Sequence, residues 1–540
     1  MVVGYATPLD LAVTLTRSSR VAKAWQQRPS KLRRITPLWA WWVPFLVFLY
    51  VLFVPSLVTT GVAGILGVFV LIAVGRRPER ALAALLALMP FHQAIFSGLY
   101  SFGVPIEIVR PLGQWKEVLI AGILVAGFRK AISERHHLDR LDVFVLGYVA
   151  LGTAYLALPG VFVGDALGSG LDFSTRLLGW RTDVMYVALF FAARHLRLDV
   201  EKRRRITRAF LISATIVCAI TYFEYTFQNL WDTIWLDWLQ LPRYKINVLQ
   251  VTGDPNVYTV KNYTNVGGQQ LLRAGSVFIY SFALGFYGCV AAALLADRIV
   301  RGVARRIHYF ALAIVCGAVL LTLIRSAVIG LLVVLVLTVL RRPDRTPRVT
   351  RSDAARVRFA LLLAGISVFA VPLAASLGVI DRFQGKDDFS SNDAHRNSFD
   401  QGYDILLTVP LGRGLATSAG AGQRANVQGL VVTETQLLQI GVQLGALGLA
   451  LWLGVVIAAV LALGGADRRA PPDFDRDVLA GARTALMGLF VGGLFLQVYI
   501  DFSVSWSLWI LAGLALGCAE QATDDASGEA PRSPVVSSRS

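Results

Sequence analysis

Long apolar runs alternate with short, strongly polar connections along nearly the whole chain of 540 residues. A helix needs about 20 apolar residues to cross the hydrocarbon core of a bilayer. Measured this way, runs near 38–56, 58–75, 81–99, 115–128, 143–160, 183–196, 207–227, 274–296, 308–324, 326–340, 359–379, 432–463, 484–501 and 504–519 each predict a helix. The runs near 115–128, 183–196 and 504–519 are short, and tilted or re-entrant segments there would lower the number of crossings. The expected fold is all-α: a polytopic transmembrane helical bundle of about 12–14 spans.

Lysine and arginine set the orientation, because basic loops stay in the cytoplasm. The first 36 residues carry seven of them, at Arg17, Arg20, Lys23, Arg28, Lys31, Arg33 and Arg34. Every second connection is then basic, as at Arg76-Arg77, Arg129-Lys130, Lys202–Arg205, Arg305-Arg306 and Arg341-Arg342. The chain divides into a cytoplasmic basic tail (1–36), N-terminal transmembrane helices (37–227), an external loop (228–273), further transmembrane helices (274–380), a second external loop (381–431) and C-terminal transmembrane helices (432–519). A polar tail (520–540) has the composition of a disordered cytoplasmic segment. In the first loop, Trp231, Trp235 and Trp238 predict an amphipathic stretch along the membrane surface, and 253–270 reads as turns and short extended pieces.

Composition agrees with this class. Hydrophobic residues make up 55% of the chain and charged residues 16%, against about a quarter charged in soluble domains, and the mean hydropathy is +0.58. A net charge of +17 suggests nucleic acid at first sight, but the basic residues lie in short runs between apolar ones. Cys218, Cys289, Cys316 and Cys518 all fall in apolar runs without metal-ligand spacing, so neither a disulfide framework nor a zinc site is expected.

Positive charge outside runs against the orientation bias and draws attention to three arginines. Arg273 sits where the first long loop enters a span, Arg325 at a tight turn between two spans or within one bent helix, and Arg396 in the second loop. Three guanidinium groups at one membrane surface suit a diphosphate, because each planar fork donates two parallel hydrogen bonds and stays charged. Snorkelling to head groups or pairing with a loop carboxylate explains them equally well. Glu434 opens the long run at 432–463. A desolvated carboxylate there can act as a general base; equally, it can complement a helix N-terminus with Thr433 as cap. Lys116 and Arg181 are further substrate-binding candidates. Lys116-Glu117 opens a span and Arg176 and Arg181 lie in a third external connection, while Glu224 and His92 are ionisable groups inside apolar runs. Leu411–Leu415 holds a lone Gly-x-Gly, expected to be a turn.

Three stretches between about 271 and 450 resemble the bacterial O-antigen ligase/polymerase family. They are Arg273–Phe278, Ile324-Arg325-Ser326-Ala327 with the apolar run after it, and the series from Arg396 through Val409–Leu415 to Leu437-Leu438-Gln439 and Leu444–Leu449. Trp115-Lys116-Glu117 is also similar. The resemblance implies an inverting, metal-independent glycosyltransferase without cofactor in the bacterial plasma (inner) membrane, both termini cytoplasmic. Its donor would be a glycan on an undecaprenyl-diphosphate-type lipid, and its acceptor a hydroxyl of another glycan or surface polymer. Membrane lipid surrounds it and nucleic acid is no partner. Arg273, Arg325 and Arg396 would hold the diphosphate and Glu434 would take the acceptor proton. Ligases of the family carry histidine where Glu434 stands, so the base itself does not carry over by identity. The rival expectation is a non-enzymatic transporter or flippase of the same lipid-linked glycans, with the arginines lining its path.

Overall fold

The computed structural model describes residues 74–133, 138–157, 171–251, 259–266, 269–341, 391–418, 422, 430–470 and 476–527. The expected runs near 38–56 and 359–379, nearly all of 58–75, the tail 1–36 and residues 381–390 lie outside them.

The described chain is a helical bundle with one β-hairpin. Its N-terminal part runs through α1 (Pro78–Leu88), a 3-10 turn, α2 (His92–Ser101), α3 (Ile106–Leu112), α4 (Trp115–Ser133), α5 (Arg140–Ala157), α6 (Phe173–Asp183), α7 (Met185–His195) and α8 (Val200–Thr226). After α9 (Gln228–Asp232), a π-helical turn and α10 (Leu241–Asn247), strands β1 (Asn262–Val266) and β2 (Gln269–Arg273) pair antiparallel. The bundle continues with α11 (Ser281–Val300), α12 (Arg306–Leu321), α13 (Arg325–Leu340), α14 (Ser391–Thr408), α15 (Gln436–Arg469), α16 (Asp477–Gly493) and α17 (Phe502–Ser527). Among the described residues six helices are long and apolar enough to cross a membrane: α1 with α2, α5, α8, α11, α15 and α17. Helices α12, α13 and most of α16 are shorter and apolar.

Local chemistry sets the boundaries. Pro78 occupies the first turn of α1, where no N–H is needed, and Pro90 falls in the 3-10 turn that separates α1 from α2. Asp172, Asp199 and Thr435 cap α6, α8 and α15 by accepting from the backbone N–H three residues on.

Several expectations are corrected. The run near 183–196 is the second part of a longer helical stretch: α6 and α7 meet at Val184 and jointly extend from Phe173 to His195, so Arg176 and Arg181 sit on a helix rather than in a loop. The run near 504–519 is no short re-entrant piece but part of the 26-residue α17. This helix continues to Ser527, so the first residues of the tail expected to be disordered are ordered, with Glu520 bonded to Arg194. The run near 274–296 becomes helical only at Ser281, because 274–280 forms a turn and one 3-10 segment. The second long loop contains the 18-residue α14. Trp231 and Trp235 are buried against the protein, leaving Trp238 as the exposed member of the stretch expected to lie on the membrane surface. The hairpin matches the extended pieces expected in that loop.

Helices α11 and α17 are buried almost throughout. Helix α17 lies unusually close to α7: a methyl group at Gly513 would stand 2.4 Å from Phe190 O, and one at Gly517 1.9 Å from Arg194 O. Two glycines four residues apart bare one strip of backbone and let two helices touch, as small residues do between membrane helices.

The bundle has two chemically different ends. At one, Arg194 binds Asp139, Asp142 and Glu520, while Arg301 and Arg341 bind Asp297 and Asp467. The basic pairs of the sequence lie at this end. At the other end sit the starts of α4, α11, α13, α15 and α17, the hairpin and α14.

Candidate functional site

Every candidate residue lies at the end opposite those ion pairs. Arg273 closes β2 and Arg325 opens α13. They are stitched together through backbone, since Ala274 N donates to Leu321 O just before the α12–α13 turn. Leu323 in that turn has φ +52°, an uncommon conformation for a branched residue. Helix α13 starts without a side-chain cap. Arg325 is thus the first residue of a helix whose opening N–H groups have no side-chain cap, at the positive end of its dipole, a place that favours an anion.

Arg273 is held from below by a group the sequence only flagged as ionisable. Glu224, buried on α8, accepts from Gly275 N at 3.2 and 3.0 Å and from Ser276 N at 2.6 Å. Ser276 Oγ donates to Val217 O, Ser281 Oγ to Arg273 O, and Asn262 Nδ2 to Ile279 O. These bonds hold Ser276 and Ile279 at positive φ. Glu224 thus builds the turn after Arg273. The hairpin is anchored by Lys261 on Asp232 at 2.7 Å; burial pulls the Lys261 ammonium down, but Asp232 and Tyr263 outweigh it and raise the pKa above the usual lysine value.

Glu434 precedes the cap of α15 instead of belonging to it. Thr435, not Thr433, caps the helix. Thr433 is buried, with its hydroxyl on Ser418 Oγ at 2.7 Å and its carbonyl accepting from Gln497 Nε2. Glu434 N donates to Ser398 Oγ at 2.8 Å. Ser398 lies on α14 two residues after Arg396, which is exposed. The end of α16 lies between the two halves of the candidate set. A methyl group at Gly492 would stand 3.3 Å from Ser326 O, and one at Gly493 3.4 Å from Gln436 Cβ. Backbone neighbours thus run from Arg273 through Arg325 and α16 to Glu434 and the Arg396 helix. Ser398, Gln497 and Glu224 had no motif to announce them; only the last carried a signal, as a carboxylate in an apolar run.

Lys116 and Arg181 belong to a different wall. They line a cavity of about 590 Å³ whose sides come from α3, the starts of α4 and α17, α6, the segment after α10, and Val277–Tyr280. Arg181 pairs with Glu117 at 3.0 Å. Lys116 and Arg181 approach the same Phe502 ring. Arg110 and Lys245 complete the cationic lining, with Glu117 and Asp501 as its carboxylates. His92 is a packed neutral ring: Trp115 Nε1 can only donate, so His92 Nδ1 accepts at 3.1 Å.

The Gly-x-Gly stretch is a turn, as expected, with an unexpected position. Gly412 and Gly414 have positive φ, and the turn fills a break in α15 at Gly445, itself at φ +70°. Arg413 N and Gly414 N donate to Val442 O and Gln443 O, and Ala446 N donates to Pro410 O. All four cysteines are buried and unpaired as disulfides.

Comparison with protein-family models and with curated proteins gives no match to this chain. The multi-pass helical bundle is therefore established by hydropathy and geometry, and the function rests on the residues themselves.

Proposed function

We propose that the protein is an integral membrane glycosyltransferase acting on lipid-carried glycans, with its chemistry at the end of the bundle that holds Arg273, Arg325, Arg396 and Glu434. The observation that carries this reading is the start of α13, which has no side-chain cap, opens on Arg325 and is joined through the Ala274–Leu321 backbone bond to the strand that ends at Arg273. Such a place favours a phosphate group. The basic end faces the cytoplasm, so the reaction is external.

In this reading the acceptor hydroxyl attacks the anomeric carbon of the donor glycan opposite the diphosphate. The carbon–oxygen bond to the lipid diphosphate breaks, and its electron pair leaves with the phosphate oxygen. Arg273, Arg325 and Arg396 stabilise that charge, Glu434 accepts the hydroxyl proton, and the configuration inverts.

One observation favours the rival reading of a transporter: α15 is interrupted at Gly445, and broken helices hold substrates in many transporters. The carbonyls of Val442 and Gln443 are, however, already taken by the 413–414 backbone, so these two acceptors are not open to a solute.

The test uses purified protein in proteoliposomes with a lipid-linked oligosaccharide, following both the glycosidic product and movement of the oligosaccharide across the membrane. We expect a new glycosidic bond, with Arg325→Ala and Glu434→Gln each lowering the rate by about 10²-fold, the scale for losing one charge-stabilising group. Translocation without any new bond would sink the enzyme reading in favour of transport.

A further inference from the structure

We infer that the cavity beside this site takes an oxyanion borne by a carbohydrate, a uronate or a phosphate-substituted sugar, so that the protein is selective for acidic glycans. That the anion belongs to a glycan rests on the reading above; that the cavity takes an anion rests on its own lining.

Charge is the first argument. Arg110, Lys116, Arg181 and Lys245 face Glu117 and Asp501, four cations against two carboxylates among the described lining residues. His92 adds no counter-charge, because it is a neutral acceptor for Trp115. Glu117 is engaged by Arg181, and Asp501 Oδ1 accepts from Ser503 N at the start of α17. A cleft of one sign with low-dielectric walls concentrates the opposite charge.

Aromatic geometry is the second argument. A neutral sugar is gripped by stacking its C–H face on an open ring. Here two of the lining rings carry cations: Lys116 Nζ lies 5.5 Å and Arg181 Cζ 4.9 Å from the centre of Phe502, and Lys245 Nζ lies 5.8 Å from the centre of Tyr280. These contacts hold the charged heads at the wall and leave charge, not ring faces, as the means of recognition.

Size and rigidity are the third. A bare phosphate, the bulk of a few water molecules at about 30 Å³ each, would leave most of the 590 Å³ empty, whereas sugar rings fill it. The wall carrying Lys245 is fixed in advance: Arg110 Nε and Nη2 donate to Val248 O and Asn247 O, and Asn247 Nδ2 donates to Tyr100 OH. A preformed site loses less entropy on binding.

The experiment measures binding of trigalacturonate, and of the same trisaccharide fully methyl-esterified, to the purified full chain in phosphatidylcholine nanodiscs. The acid form should bind at least about tenfold tighter at low salt, what one charge-assisted hydrogen bond is worth, and the advantage should shrink as salt rises. Lys245→Gln should remove most of the preference at unchanged melting temperature, and Lys116→Gln serves as the second variant should Lys245→Gln melt early. Equal binding of the two forms, no binding of the acid form, or a preference indifferent to both variants overturns the inference. So does loss of trigalacturonate binding when phosphatidylglycerol replaces part of the phosphatidylcholine, which would give the cavity to a lipid phosphate. Charge-selective binding without glycan transfer leaves this cavity standing and sinks the transferase; transfer without charge selectivity does the reverse.

Discussion

Arg325 shows how much the identity of one residue can carry. A cation in a connection expected to be external opposes the orientation bias, and that alone marks the position in the sequence. The fold adds a second conflict, because the same side chain opens α13 at the positive end of the helix dipole. The proposed function sets an anion beside this helix start. Lysine keeps the charge but loses the planar fork, so Arg325→Lys should cost at least about tenfold in glycan transfer, measured beside wild type at equal protein in the membrane; full activity in the lysine variant would mean that a bare charge suffices and no bidentate contact exists. Arginines are legible in the sequence because charge is a property of the residue alone. Ser398 and Gln497, which bind the Thr433–Glu434 backbone, are not, because a hydroxyl or amide acquires its role only from the partner the fold brings to it. Thr433 passes for the cap in the sequence for the same reason: two threonines flank Glu434, and only the backbone geometry selects Thr435.

At the scale of the element, hydropathy locates most helices but not their interruptions. The run at 432–463 reads as one uniform span, yet α15 is broken at Gly445. A glycine in an apolar helix usually serves packing, and nothing in the sequence ties it to the turn more than thirty residues upstream that repairs the break. The turn returns three backbone hydrogen bonds to the break, the kind of compensation that an interrupted membrane helix requires. An added methyl group at Gly445 would lie 2.2 Å from Pro410 O, on a residue at φ +70°. Gly445→Ala should therefore destabilise the fold by about 1–3 kcal/mol from backbone strain, before any clash. A thermal melt of the detergent-solubilised variant checks this, and an unchanged melting temperature would show that α15 closes into a regular helix without cost. The α6–α7 crossing escapes hydropathy for the opposite reason. Its first half, Phe173–Asp183, is too polar to register as a span, and contacts with α4, α5, α15 and α17 make it part of the bundle.

For the whole molecule, charge is sorted into two ends, and the ion-paired end bears on stability as the cavity end bears on chemistry. Arg194 ties α5, α7 and α17 together through Asp139, Asp142 and Glu520, directly beside the glycine strip where α7 and α17 touch. Removing the arginine leaves carboxylates without their counter-charge, so Arg194→Gln should cost about 3 kcal/mol, as when one partner of a buried pair is deleted. Acid should expose the same tie. Burial pushes Asp139 up, but the hydrogen bond and charge of Arg194 outweigh it and hold the carboxyl below its usual value of 3.8. A carboxyl depressed in the folded state contributes its stability above the unfolded value and loses it as the pH falls through the folded one. Wild type should accordingly lose melting temperature as the pH drops below about 3.8, and Arg194→Gln, with only the backbone N–H groups of Asp142 and Leu141 left to depress Asp139, should lose less over that interval. Parallel acid profiles would mean that Asp142 and Glu520, rather than Asp139, carry the Arg194 tie between the helices.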